Sequence, residues 1–287
     1  MKKENNINNL VNKQMKLIEK QESKLLKEPK DNYIKSKISP IKEKVKNKIP
    51  DKLLSTLEVA FQKGFKTVFD KGVGIIEKTY NKEEINMEYD INSYAVNKYP
   101  TKKNLKKIDK TASKKTIINK SITILEGSGL GALGIGLPDI PLYIAVILKS
   151  IYEISLSYGF NYSSENERAY ILTLISSAVT KGEERLYYFN KLDIMSNEID
   201  NDKPCNYDIE EILVDTSSKI SNYMLTSKFI QGLPIVGIVG GVTNFIVLQD
   251  ITAIAKLKYK KRYLKKLYKW WCLEHTFFLN IISNKKI

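Results

Sequence analysis

Asp139 stands among apolar neighbours in Leu137-Pro138-Asp139-Ile140-Pro141, and Glu153 follows it fourteen residues later. A carboxylate in such surroundings has two ordinary roles. It caps the helix that Pro141 helps to start, or it is buried against a cation, for which Lys149 and Arg262 are available. Glu153 faces a similar choice between a solvated face and a polar cluster. Asn244 lies within a second apolar run, where a helix-to-helix hydrogen bond is the default reading. Were Asp139, Glu153, Asn244 and Arg262 to converge, they would form a polar site, and a hydrolase using the Asp/Glu pair would become conceivable.

Other chemical motifs fare worse. Gly129-Leu130-Gly131-Ala132-Leu133-Gly134 fits the spacing of a dinucleotide-binding turn. That turn needs a strand before it and an unbroken helix after it, and Pro138 falls inside the helix required. Ser128 lacks the glycine frame of a nucleophile elbow, since position 126 is Glu126. His275 is the only histidine, so a histidine-based metal site or a Ser-His-Asp triad has little to draw on. No Walker motif is present, and no metal or cofactor is expected. Cys205 and Cys272 form no CxxC pair and suit a reducing compartment. The polar N-terminus, with no apolar stretch behind its charges, argues against a cleaved signal peptide.

The charge balance speaks about surroundings rather than reactions. The chain has 287 residues and a net charge of +15. That excess favours an anionic partner, either nucleic acid or the phospholipid face of a membrane. Arg168, Arg185 and Arg262 are the only arginines among 47 basic residues. Reading guanine edges needs guanidinium forks, so sequence-specific nucleic-acid binding is disfavoured. Lysine suits non-specific attraction to a charged surface. An AT-rich codon bias would also enrich Lys, Asn and Ile without any binding role.

The elements that must position these residues read as helices, with no alternating run long enough for a sheet. Residues 1–50 are expected to form a basic, poorly packed arm; from Lys2 to Lys52 fifteen lysines face seven acids. Leu54, Leu57, Phe61, Phe65, Val68, Phe69 and Ile76 then recur at helical spacing after Asp51, a plausible N-cap. Gly64, Gly72 and Gly74 would let another helix approach closely. Residues 81–101 are polar, and lysines crowd 102–120. Gly127–Leu148 carries Asp139 as its only charge, and its helix continues to a stop at Tyr158-Gly159. Ser164 to Glu167 fits a capping box. A loop is expected over 196–208, then a helix from Asp208 to Leu225. Phe229–Gln249 carries no charge.

Both apolar segments are long enough to span a bilayer, but each holds Gly-Leu-Pro and small-xxx-small spacings that favour broken, tightly packed helices. They are either core helices of a soluble domain or hairpins dipping into a membrane. Flanking lysines favour the second. So does the last helix, read from about Ile251 to Leu279. Lys256, Lys258, Lys260, Lys261, Lys265, Lys266 and Lys269 alternate there with aromatics up to Trp270 and Trp271. These nine positions are the expected membrane-surface contacts.

Gly136-Leu137-Pro138-Asp139-Ile140-Pro141, Leu148 to Ile154 and Tyr158-Gly159-Phe160 resemble the signature of the EcsC protein family. Leu233 to Gly237, Gly240-Gly241, Asn244, Ala255, Tyr259 and Arg262-Tyr263-Leu264 resemble its C-terminal half. The resemblance runs from about Leu54 to Trp271 and leaves the arm outside. It implies a bacterial helical protein, in a family named for a gene cluster that encodes an ABC-type exporter and often linked to membranes and secretion. It carries no established catalytic mechanism. Lys149 departs from the arginine expected there. The expectation is an all-α protein, with one helical domain over 51–287 and the two broken apolar segments at its centre. Its expected place is the cytoplasm, peripheral to or partly embedded in the cell membrane. Its expected partners are an anionic membrane surface and a transporter or other membrane protein.

Overall fold

The computed structural model describes residues 2–27, 49–114, 139–230 and 242–284. Among these residues every regular element is helical. They are α1 (Lys2–Leu26), α2 (Asp51–Thr67), α3 (Val73–Glu77), α4 (Lys82–Lys98), α5 (Lys102–Lys114), α6 (Asp139–Ser157), α7 (Glu165–Val179), α8 (Gly182–Ile199), α9 (Ile209–Ile230) and α10 (Val242–Asn284). A π turn over Val68–Gly72 joins α2 to α3. The periodic run from Leu54 to Ile76 is therefore one helical path with a widened turn, which places Val68 and Phe69 in the core. Asp51 is the first helical residue rather than the cap, a position held by Pro50.

The apolar segment around Asp139 becomes α6, which touches α2, α4, α5 and α10. Its stretch Ile140–Ser157 is long and apolar enough to cross a membrane, yet 94% of it is buried inside the protein. Of the two readings open for this stretch, the core helix holds. Gly64 of α2 permits the close approach, since a Cβ there would lie 2.6 Å from Ile144 Cδ1. Gly74 has open space and plays no such part. The helix stops as the Tyr158-Gly159 pair suggests. Gly159 adopts φ +77°, Phe160 N–H donates to the Ser155 carbonyl at 2.9 Å, and Gly159 N–H donates to Leu156 at 2.9 Å. A side chain at Gly159 would also strike the Tyr89 ring.

α7 is surrounded on nearly every side, by α8, α9 and α10 among others. Its polar side chains bond inward: Thr173 donates to the Ala169 carbonyl at 2.9 Å, and the Ser176 and Thr216 hydroxyls meet at 3.0 Å. Arg185 fills an end-capping role. Its guanidinium donates to the carbonyls of Ser177 and Ala178 in the last turn of α7, and to Leu25 in the last turn of α1. Helix C-termini leave such carbonyls without partners, and a cation there also meets the negative dipole end.

One expectation about packing needs correction. The arm over 1–50 is not poorly packed throughout. α1 lies against α8 and α10, burying Ile7, Leu10, Val11 and Ile18. The apolar positions recur at three- and four-residue steps, thinly enough among Lys and Asn to be overlooked. The polar stretch 81–101, left without an assigned element by its pattern, is mostly helix. Asn81 caps α4 by accepting from Glu84 N–H at 3.0 Å, and only Ile85 and Val96 of α4 are fully buried. The Gly129–Gly134 motif, both Gly-Leu-Pro triplets and the side chains of Asp139, Asn244 and His275 lie outside what the structure describes.

Candidate functional site

The lysine-rich part of α10 divides by direction. Lys258, Lys261 and Arg262 turn inward, whereas Lys265, Lys266, Lys269 and Trp270 are exposed. Lys256 and Lys260 are half-buried, and Trp271 is partly buried against the core. Two of the nine expected surface contacts, Lys258 and Lys261, are therefore interior.

Arg262 is 2% exposed and grips two carboxylates. Nη1 and Nη2 donate to Glu167 at 2.6 and 3.0 Å. Nε and Nη2 donate to Asp200, the shortest contact being 2.6 Å. Tyr259 adds a hydroxyl donor to Glu167 at 2.7 Å. The rings of Phe160, Tyr170 and Tyr259 lie 4.3, 4.5 and 5.3 Å from the guanidinium carbon. A planar guanidinium is the one cation that can make paired bonds while lying against aromatic faces.

About one turn earlier on α10, Lys258 donates to Glu22 at 2.7 Å and Asp193 at 3.2 Å, and Lys261 donates to the same two acids. Burial pulls the Lys258 ammonium down, while Asp193 and Glu22 oppose that. Burial raises the Asp193 carboxyl, but Lys258 and Lys261 outweigh it and hold the group below the ordinary aspartate value. These eight side chains fasten α1, α7, α8 and the loop after it to α10. Buried ion pairs of this kind add little net stability over apolar packing but are costly to break, so they favour one arrangement of helices.

A second polar group sits on α6. Lys149 and Glu153 pair at 3.1 Å, both nearly buried. The Lys149 ammonium also lies 5.5 Å from the Tyr80 ring centre. Tyr80 and Tyr162 hydroxyls meet at 2.6 Å, and Tyr162 donates to Glu77 at 2.5 Å. The Tyr162 hydrogen bond draws the Glu77 carboxyl below its usual range, and burial pushes both tyrosines well up. Each shift moves titration further from pH 7, keeping the phenols protonated and Glu77 ionised, which suits fixed hydrogen bonds rather than general acid-base work.

The proposed polar cluster does not close. Asp139 and Glu153 both belong to α6, and fourteen residues at about 1.5 Å each set them about 21 Å apart along the axis. Asn244 and Arg262 both belong to α10, about 27 Å apart by the same rise. Lys149 takes Glu153, and Arg262 takes Glu167 and Asp200. Glu167 was visible in the sequence only as the third position of a capping box. Its backbone N–H does donate to the capping Ser164 hydroxyl oxygen at 3.2 Å, but its carboxylate goes to Arg262. Glu22, Asp193 and Asp200 gave no local signal, because their partners are far away in the chain. Among the described residues no group of three His, Cys, Asp or Glu is placed to hold a metal ion.

A further group of exposed charge forms a lysine face on α5. Leu105, Ile108 and Ala112 anchor its inner side, leaving Lys102, Lys103, Lys106, Lys107 and Lys110 outward. Asp109 binds Lys260 at 2.8 Å and accepts from the Tyr158 hydroxyl at 2.9 Å, which ties α5 to α6 and α10.

Comparison with known proteins agrees with the motif resemblance and extends it. The chain is similar to Protein EcsC of Bacillus subtilis (strain 168), 28% identical over 160 residues, which is 53% of this chain and 63% of that protein. The alignment thus covers less than two thirds of the relative. No solved structure matches the chain. The EcsC protein family matches residues 12–264, beginning inside α1 and so taking in Glu22 as well as Glu167, Asp193, Asp200 and Arg262. The chain belongs to the EcsC protein family.

Proposed function

We propose that the protein is a non-enzymatic accessory that works at the anionic cytoplasmic face of the cell membrane, beside a transporter or other membrane protein. The observation that carries this reading is the sorting of positive charge. Arg185 and Arg262 are bound internally and Arg168 lies over the Phe69 ring. The exposed cations of α5 and the end of α10 are lysines. Lysines on a rigid helical surface attract phospholipid headgroups without sequence or base discrimination. Burial of Ile140–Ser157 favours attachment through the surface over a span by that helix. The link to ABC-type export rests on the family resemblance alone.

The hydrolase reading loses its basis, since Glu153 is held by Lys149 and stands about four turns of helix from Asp139. Fractionation of cells expressing the full chain tests the membrane reading. Recovery with membranes at low salt and release at high salt is expected. Complete recovery in the soluble fraction under both conditions would refute it.

A further inference from the structure

The turn joining α4 to α5 brings exposed apolar and aromatic side chains next to a run of lysines. Ile91, Tyr94 and Tyr99 are 62%, 66% and 65% exposed. Most other tyrosines of the core are nearly inaccessible, including Tyr152, Tyr158, Tyr162, Tyr170, Tyr259 and Tyr263. Between Asp90 and Asp109 the chain has five lysines and no acid. Asp109 does not offset them, because Lys260 already neutralises it.

The turn is also preformed. Thr101 caps α5 by accepting from Asn104 N–H at 3.2 Å. The Asn104 side chain donates to the carbonyls of Ala95 and Tyr99 at 3.1 and 2.9 Å. Tyr99 N–H bonds back to Ala95 at 2.9 Å. Little ordering is then needed when the turn meets a partner.

We propose that this turn is the docking element of the protein on an anionic phospholipid bilayer, with Tyr94 and Tyr99 at headgroup depth and Lys98, Lys102, Lys103 and Lys106 against the phosphates. The proposal rests on the membrane reading above and moves the main contact from the C-terminal helix to the α4–α5 turn. Tyrosine places an apolar ring and a polar hydroxyl across the boundary between headgroups and chains. Lysines contribute additively near an anionic leaflet, at about fivefold in affinity each. The C-terminal cluster is weaker in comparison. Lys258 and Lys261 are interior, Lys269 is bound to Asn201 at 2.6 Å, and Lys266 lies 5.5 Å from the Phe160 ring centre.

The test uses the full chain and co-sedimentation with phosphatidylglycerol/phosphatidylcholine vesicles. Three variants are compared: Tyr94→Ser with Tyr99→Ser; Lys98→Gln, Lys102→Gln and Lys103→Gln together; and Lys265→Gln, Lys266→Gln and Lys269→Gln together. All these side chains are exposed, and circular dichroism should stay unchanged. The turn lysine variant should bind about a hundredfold more weakly, the tyrosine variant at least about tenfold more weakly, and the C-terminal variant within about fivefold of the unaltered chain. If the unaltered chain binds and both turn variants match it within about twofold, the docking element is elsewhere while the membrane reading stands. A C-terminal variant losing as much as the turn variants would also overturn the assignment. If the unaltered chain ignores vesicles yet binds a labelled single-stranded oligonucleotide through this turn, both readings fall.

Discussion

Arg262→Met tests the charged core most sharply. The side chains are similar in length, so the substitution removes charge and donors with little change in volume. Five hydrogen bonds disappear, two to Glu167 and three to Asp200. Asp200 is partly accessible and can take up water. Glu167 is 2% exposed and would keep only the Tyr259 hydroxyl. Leaving a buried charge without its partner costs about 3–5 kcal/mol, a large part of the roughly 5–15 kcal/mol that holds a typical domain together. Urea unfolding followed by far-ultraviolet circular dichroism should show the midpoint falling by about 2 M. Glu167→Gln keeps an acceptor for Tyr259 and should lose about 2–3 kcal/mol. The double variant should lose less than the sum of the two, by about 2 kcal/mol, because no lone buried charge remains. Strictly additive losses, or an Arg262→Met loss below about 1 kcal/mol, would refute a tightly coupled ion cluster.

Further expectations concern backbone, arm and pH. Gly159→Ala should destabilise by at least about 1–2 kcal/mol, since φ is +77° and a Cβ would meet the Tyr89 ring. Gly74→Ala has open space around it and should be neutral or stabilising by up to about 1 kcal/mol in the same unfolding assay. Deleting residues 1–27 should lower the melting temperature and raise binding of a hydrophobic dye, because the seat of Ile7, Val11 and Ile18 on the core is uncovered. Asp193 has its folded-state pKa held down by Lys258 and Lys261, so it contributes stability above its unfolded value that is lost as pH falls below about 4. Asp193→Asn should therefore flatten the acid limb of the stability profile, measured as urea midpoint between pH 6 and pH 3.

Local patterns in the sequence were read well where they depend on neighbours. The Leu54–Ile76 periodicity, the Tyr158-Gly159 stop, the Ser164 cap and the loop near Pro204 each follow from residues a few positions apart. The all-helical fold and the central place of Ile140–Ser157 followed from the same information. What stayed hidden depends on distant partners. The charge run of Lys256–Lys269 looks like one surface, yet helical rotation sends Lys258, Lys261 and Arg262 inward to acids on three other helices and the loop after α8. Asp139 and Glu153 attracted interest through apolar surroundings, but their spacing on one helix keeps them apart. The packing of α1 leaves little trace in the sequence because it has few apolar residues, and Glu22 ties it to Lys258 and Lys261 on a distant element.

Attachment to an anionic membrane surface is the central claim, and its salt dependence is the most direct measure. Partitioning of the full chain onto phosphatidylglycerol-containing vesicles should be strong at about 50 mM salt and fall steeply by about 500 mM, as the Debye length shrinks towards the size of a headgroup. It should be weak on pure phosphatidylcholine at both. Equal partitioning onto charged and neutral vesicles, or none onto either at low salt, would contradict the account.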